Sequence, residues 1–383
     1  MISTVRISRC ARLSKIALVD EYGAYLQVKD GRFRLKIGDT IKWEVSPIEL
    51  DSIVFTVDGA SISASSVMLA ASYGIDLVFI KGSRPIARLL TAKYGSTMLT
   101  WLDQLNRVSS EEERSRLASL FIDGKIHNQR MVIYEYAHKA RATGSRIAEL
   151  EDAVERLKDL QSSLVYCRSV EDIINVEAHA ANVYWRAIAT LIPKQIGFEH
   201  RLTRQRIRAG MSPDPFNIAL NIGYSILRKE VWRAVFLAGL NPYVGFLHRE
   251  RSGRMSLVLD LMEEFRAHCV DRPLIALARQ SPDMIMKINE SVRGERNRNE
   301  RERGNGKEEG GESKEKGSTK RKKKESKEGT ERGETDGIKE VWKAVINRMK
   351  EREDMVSVIV NQARLLAKDI RGSDRYKPFK SRW

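Results

Sequence analysis

Between Gly239 and Arg266 the chain reads GLNPYVGFLHRERSGRMSLVLDLMEEFR. The residues there that can do chemistry are His248, on a loop, and Asp260, Glu263 and Glu264, on the helix expected after it. Val258, Leu261, Met262, Phe265 and Cys269 recur at helical spacing, so that face is expected to be buried. Asp260 and Glu263 fall on the neighbouring stripe, because residues three or four apart share a helix face. Carboxylates beside an apolar stripe, with an imidazole on the preceding loop, suit a hard divalent cation. Oxygen donors favour Mg²⁺ or Mn²⁺, and one imidazole tilts the choice towards Mn²⁺. A solvated acidic helix fits the same spacing, which also leaves Glu263 and Glu264 equivalent.

A second carboxylate stands upstream, in SVEDIINVEAHAANVYWRAIATLIP. Ser169 with Asp172 can cap that helix. Ile173 or Ile174, Glu177, Ala181, Tyr184 and Ile188 follow at steps of three or four, so Glu177 lies on an otherwise apolar stripe. Burying a lone carboxylate is costly, and Glu177 is expected to have a partner, either a base or a metal. The alternative is that its side chain reaches out to solvent. Next comes a basic segment, HRLTRQRIRAGMSPDP, with Arg201, Arg204, Arg206 and Arg208. Arginines at this density can grip phosphates through two nitrogens at once, although many such runs are simply solvated. Asn217, Asn221, Tyr224 and Arg228 then form a polar stripe on an apolar helix, either satisfied inside the fold or facing a polar ligand.

The elements that must hold these residues divide into two kinds. Residues 15 to about 90 are β-rich: Lys15–Val19, Ala24–Lys29, Arg32–Ile37, Ile41–Val45, Ser52–Val57, Asp76–Ile80 and Ile86–Leu90 read as strands, with one helix at Ala64–Tyr73. DGRFRLK has the form of a hairpin with an Asp-Gly turn. From about Thr100 the pattern is helical, with helices expected at Glu111–Ile122, Lys125–Ala142 and Arg146–Gln161 and a capping box from Ser109 to Glu112. Asp214 and Pro215 open a helix that Gly239 closes, and another follows Asp271–Pro273. The expected fold is therefore α+β: a β-rich domain over residues 1–95 and a larger helical domain over 96–383. Within the second, Arg293–Gly337 contains no aliphatic, aromatic, Met or Cys residue and is expected to be a disordered insert. The chain closes on an amphipathic helical stretch, GIKEVWKAVINRMKEREDMVSVIVNQARLLAKDIRG.

Charge narrows the function. The net charge of the 383 residues is +16, while the insert carries 15 Lys and Arg against 12 Asp and Glu, so most of the basicity belongs to the rest. A polyanion such as double-stranded DNA is the expected partner. No apolar run is long enough to span a bilayer, so a membrane role is not expected. Three scattered cysteines, Cys10, Cys167 and Cys269, without CxxC spacing argue against a zinc site or a disulfide framework and fit a cytoplasmic protein. No GxxxxGK[ST] loop is present, so ATP-driven chemistry is not indicated.

Several motifs in order resemble the CRISPR-associated integrase/endonuclease family, CRISPR-associated protein 1. They are GAYLQVKDGRFRLK, ISASSVMLAASYGIDLVFI, GKIHNQR, VEAHAANVYW, DPFNIALNIGYSIL, AGLNPYVGFLHRERSGRMSLVLDLMEEFR, QARLLAKDIRG and YKPFKSRW. The resemblance covers nearly the whole chain outside the insert. It implies a β domain that makes a homodimer and a helical domain that holds a metal. It implies Glu177, His248 and Glu263 as ligands of Mg²⁺ or Mn²⁺, with Asp260 supporting the site, and it alone separates Glu263 from Glu264. Tyr184, Asn217 and Tyr224 match positions near the site, with contact to the DNA backbone implied for them.

The implied reaction is attack of a prespacer 3′-hydroxyl on a phosphodiester at the leader–repeat boundary. The implied companion is a small subunit, CRISPR-associated protein 2. A structure-selective nuclease of branched DNA and a non-catalytic basic scaffold are the competing classes, and the scaffold leaves Glu177 unexplained.

Overall fold

The computed structural model describes residues 16–50, 52–82, 84–89, 96–142, 148–202, 211–288, 336–351 and 354–382. The insert expected over 293–337 falls outside the described residues except for its last two, which open a helix. The architecture is mixed: an N-terminal pair of sheets followed by a helical remainder. The chain forms two compact units. One comprises residues 1–114, 229–260 and 359–377, the other 115–228, 261–358 and 378–383. Among the described residues no helix is long and apolar enough to cross a membrane.

The first unit holds β1 (Ile16–Val19), β2 (Ala24–Lys29), β3 (Arg32–Ile37), β4 (Thr40–Val45), β5 (Ser52–Phe55), β6 (Ser61–Ile62), α1 (Ala64–Tyr73), β7 (Asp76–Lys81) and β8 (Arg84–Leu89). One sheet runs β1-β5-β7-β8 and the other β4-β3-β2-β6. The β2–β3 hairpin turns at Asp30 and Gly31, both with positive φ (52° and 70°), as the Asp-Gly pair predicts. In β3, Phe33 and Leu35 point inward between outward arginines. β5 is buried along its whole length, as suits a strand flanked by parallel neighbours in β1 and β7. Its Ile53 and Phe55 join Leu26, Phe33 and Leu77 in one cluster. Its Val54 joins Val78 and Ile80, packed on Phe236 and Leu237. β6, only two residues long, is too short for an alternation pattern to register.

α2 (Ser96–Ser109) is tied to the sheet through a buried node. Asp76 accepts from Thr97 Oγ1 (2.5 Å) and Arg88 Nη1 (2.6 Å), and Arg88 also donates to the Phe236 carbonyl.

The second unit is built on α3 (Glu111–Ala142), α4 (Ala148–Ser163) and α5 (Val170–Leu191). Two helices were expected across the first of these, parted near Gly124, but α3 is one uninterrupted helix of 32 residues. Gly124 serves close packing instead. A Cβ there would lie 3.0 Å from Glu264 Cγ and from Pro378 Cβ. The N-terminal cap is also one residue later than expected: Ser110 Oγ, not Ser109, accepts from the Glu113 amide (3.4 Å). The capping box at Ser169 and Asp172 forms as expected.

Further helices are α6 (Pro215–Leu237), α7 (Ser256–Arg266), α8 (Arg272–Gln280), α9 (Asp336–Lys350) and α10 (Met355–Ile370). Between α7 and α8 there is no loop. A π-helical turn, Ala267–Asp271, joins them, with the Arg272 amide reaching back to the Ala267 carbonyl. Pro273 has no N–H for the usual bond four residues back, so the wider turn suits it. The turn leaves Asp271 fully inside the fold.

Candidate active site

The loop before α7 is organised by one carboxylate. Asp260, 0% exposed, accepts four hydrogen bonds. Its Oδ2 takes the amides of Phe246 (2.6 Å) and Leu247 (3.0 Å), and its Oδ1 the amide of His248 (3.0 Å) and the His248 ring at Nδ1 (2.6 Å). A buried carboxylate accepts here, so Nδ1 carries the proton, and the ring's remaining lone pair is on Nε2. That arrangement, a carboxylate orienting an imidazole whose other nitrogen is available, is the one metal-binding histidines use. Gly245 makes the loop possible: a Cβ there would stand 2.7 Å from Ser256 Cβ and 2.8 Å from Asp260 Oδ2.

Three positions on, the same helix carries a carboxylate of another kind. Glu263 is 5% exposed and receives Lys125 Nζ (2.8 Å) from α3 and Arg266 Nη2 (3.0 Å) from its own helix. Lys125 also pairs with Glu177 Oε1 on α5. One ammonium thus sits on both carboxylates, which is the partner expected for Glu177. Burial works to lower the Lys125 pKa, but Glu177 and Glu263 outweigh it and hold the group above its ordinary range. Arg266 behaves alike, raised by Glu263 against the effect of burial. Glu264 points elsewhere: its carboxylate accepts from the Phe379 amide (2.7 Å). The ambiguity that spacing left between Glu263 and Glu264 therefore resolves physically, Glu263 facing Glu177 and Glu264 anchoring another segment.

Among the described residues, no group of three His, Cys, Asp or Glu side chains is arranged to hold a metal ion. The residues expected to do so are each engaged, Glu177 and Glu263 by Lys125 and His248 by Asp260. The donor chemistry fits a hard cation nonetheless. Two carboxylates converge on a cationic atom in one unit, and in the other an imidazole is held by Asp260 through Nδ1.

The other expected residues surround Asp271. Tyr184 donates to its Oδ2 (3.1 Å) and Tyr224 to its Oδ1 (2.6 Å). Burial raises the Asp271 pKa to about 6 despite both bonds and despite Arg266 and Arg201. Burial and the Asp271 charge push both tyrosines well above their ordinary range. The Tyr224 ring lies under the guanidinium groups of Arg266 (4.8 Å) and Arg201 (5.5 Å). Asn217 is fully buried and fully bonded: it accepts from Arg201 Nη1 (2.6 Å) and the Leu202 amide (3.0 Å), and donates to the His200 carbonyl (2.9 Å) and Asp214 (2.5 Å). Tyr184 and Asn217 are thus buried and bonded within the fold. Arg201 is half-buried and bonded to Asn217 and Asn221. Arg204, Arg206 and Arg208 lie outside the described residues.

Lys125, Arg266 and Asp271 are the site residues that sequence reasoning missed. The signal for Lys125 was the demand of Glu177 for a partner, in a chain where GKIHNQR had already been singled out.

A family profile described as CRISPR associated protein Cas1 matches residues 17–285. The CRISPR-associated endonuclease Cas1 1 of Saccharolobus solfataricus is 45% identical over 274 residues, covering 72% of this chain and 74% of that protein. Two solved structures share the fold. A casposase bound to integration product superimposes with a TM-score of 0.67 at 20% identity, over 95% of this chain and 97% of that one. A chain of a partial Cas6-RT-Cas1–Cas2 complex gives 0.59 at 16% identity, over 97% and 100%. The profile spans well over half the residues and the archaeal relative is matched along most of its length, so the chain belongs to the Cas1 family of CRISPR-associated proteins.

Proposed function

We infer that the chain performs the endonuclease and integrase chemistry of CRISPR adaptation with a divalent cation held by Glu177, His248 and Glu263. The observation that carries this is the convergence of two carboxylates from separate helices, Glu177 and Glu263, on the single charge of Lys125. Glu177 and Glu263 would supply carboxylate oxygens and His248 its Nε2. The chemistry that Mg²⁺ or Mn²⁺ would supply there is polarisation of the scissile phosphate and stabilisation of the leaving oxygen. Asp260 fixes the proton on His248 Nδ1 and the path of the loop. Arg266 pairs with the Glu263 oxygen that Lys125 does not take (3.0 Å).

In the joining reaction a DNA 3′-hydroxyl oxygen attacks phosphorus, one P–O ester bond forms, and another breaks to release a 3′-hydroxyl. One ester replaces another, so no ATP is needed. With water as nucleophile the same site cuts. The basic balance of the chain supports double-stranded DNA as substrate, with a salt-dependent grip.

The domain reading belongs to the same proposal: residues 1–95 as the homodimer-forming domain and 96–383 as the catalytic one. Two sites in a symmetric dimer would serve two DNA ends. A Cas2 companion is supported by the name of the Cas6-RT-Cas1–Cas2 complex.

The test is joining of a short duplex with free 3′-hydroxyls into a repeat-containing plasmid, with Mn²⁺ or Mg²⁺ and a Cas2 subunit. Product is expected with native ends and none with 3′-deoxy ends. Glu177→Ala and His248→Ala are expected to abolish joining and cutting alike. Unchanged product from 3′-deoxy ends would make water the nucleophile, and full activity in Glu177→Ala would remove the site.

A further inference from the structure

The motif YKPFKSRW takes no part in the chemistry above, yet Pro378–Arg382 is bonded to the two helices that carry Lys125 and Glu263. Phe379 donates its amide to the Glu264 carboxylate (2.7 Å). Asn128 on α3 donates to the carbonyls of Glu264 (2.7 Å) and Phe379 (2.9 Å) and accepts from the Ser381 amide (2.7 Å). The Phe379 ring stacks on Phe265 (5.1 Å between centroids) and meets His268 edge-on (5.6 Å). Lys380 pairs with Asp123 (2.8 Å). Asn128 and Glu264 are fully buried, and at Gly124 the segment comes so close that a Cβ would meet Pro378.

The partners have a pattern. Asp123 and Gly124 immediately precede Lys125, and Asn128 is one turn beyond it. Glu264 and Phe265 immediately follow Glu263. A single Asn128 side chain bonds both α7 and the segment, so the three pieces lock together. On an α-helix one residue corresponds to about 100° of rotation. A turn of α7 by that amount would exchange Glu263 for Glu264 in front of Lys125 and Glu177. The bond from Phe379 to Glu264 opposes that rotation, because it holds Glu264 on the far side.

We propose that Pro378–Arg382 is a positioning strap that sets the rotation of α7 against α3 and thereby presents Glu263, rather than Glu264, beside Glu177. It acts through Glu264 and Asn128 and touches no reacting atom. This rests on the reading of Glu177 and Glu263 as a cation-holding pair.

The experiment is Mn²⁺ binding to the full chain without DNA, followed by the electron paramagnetic resonance signal of free Mn²⁺. Glu177→Ala and Glu263→Ala report on the site itself and are expected to lose binding. Asn128→Ala and Phe379→Ala are expected to bind Mn²⁺ about ten-fold more weakly, with unchanged far-ultraviolet circular dichroism, the scale seen when groups behind metal ligands are removed. Phe379→Tyr keeps the ring and the amide and is expected to match the unmodified protein. A chain ending at Lys377 is expected to bind weakly and to regain affinity when the peptide PFKSRW is added. Should that chain fail to fold, Asn128→Ala and Phe379→Ala decide. Unchanged Mn²⁺ affinity in both, with binding lost in Glu263→Ala, overturns the strap. Unchanged affinity in Glu177→Ala and Glu263→Ala overturns the site instead.

Discussion

Asp260 and Glu263 stand three residues apart on one helix, both buried, and are satisfied in opposite ways. Asp260 takes three backbone amides and one imidazole, groups fixed by the course of the loop. Glu263 takes side-chain cations, Lys125 and Arg266. A carboxylate bound by backbone is scaffold, since nothing can replace three amides at once. A carboxylate balanced by a long side chain can exchange that partner for another cation with little rearrangement. The first kind builds a site and the second works in it. Asp260 is expected to act through His248, whereas Glu263 and Glu177 are expected to meet the cation.

The largest effect should come from breaking the scaffold side. Asp260→Ala leaves three backbone amides without an acceptor, those of Phe246 and Leu247 buried and that of His248 half-buried, each buried one costing about 1–3 kcal/mol. Urea denaturation is expected to report a loss of at least about 3 kcal/mol. A loss under about 1 kcal/mol would mean the loop does not depend on Asp260. Removing the exchangeable partner should be milder and reversible by metal. Lys125→Met removes the charge that Glu177 and Glu263 share, leaving Arg266 on Glu263 alone. Its melting temperature in a chelator is expected to fall well below that of the unmodified protein, and saturating Mn²⁺ should restore most of the difference, about 2–3 kcal/mol at a hundred times the dissociation constant. Equal melting shifts on adding Mn²⁺ to both proteins would remove the exchange argument.

Asp271 is a third buried carboxylate, and the groups that donate to it are the neutral hydroxyls of Tyr184 and Tyr224. Its pKa is raised by burial to about 6 from an ordinary 3.8. The folded state therefore binds more protons than the unfolded one between those values. This group's contribution to stability is fully present below about 3.8 and lost as pH rises through about 6. Between pH 5 and pH 7 it amounts to about 1 kcal/mol. Asp271→Asn is expected to flatten the stability–pH curve in that window, and an unchanged slope would assign the pH dependence elsewhere.

Much of this was legible in the sequence where the signal is local. Short β-branched and aromatic runs between turn signals marked the strands, the Asp-Gly pair marked the hairpin, and Ser169 with Asp172 marked the cap of α5. What was hidden depends on distant partners. Gly124 read as a helix break because its reason, the approach of Pro378 and Glu264, comes from remote sequence. Lys125 looked like one lysine among many until α3, α5 and α7 brought it onto two glutamates. Glu263 and Glu264 are adjacent and chemically identical, and partners remote in sequence distinguish them, Lys125 at Glu263 and the Phe379 amide at Glu264. Asp271 beside Pro273 read as an ordinary helix start, whereas the π-helical turn carries it into the interior.

On the proposed function, the pair held by Lys125 is a cation site that His248 completes. Anomalous diffraction at the manganese edge from crystals soaked in Mn²⁺ tests it most directly. One anomalous peak is expected, bounded by the carboxylates of Glu177 and Glu263 and by His248 Nε2, with Lys125 Nζ withdrawn and Asp260 still on His248 Nδ1. A peak at other residues, or none with Lys125 still between the two glutamates at saturating Mn²⁺, would contradict it.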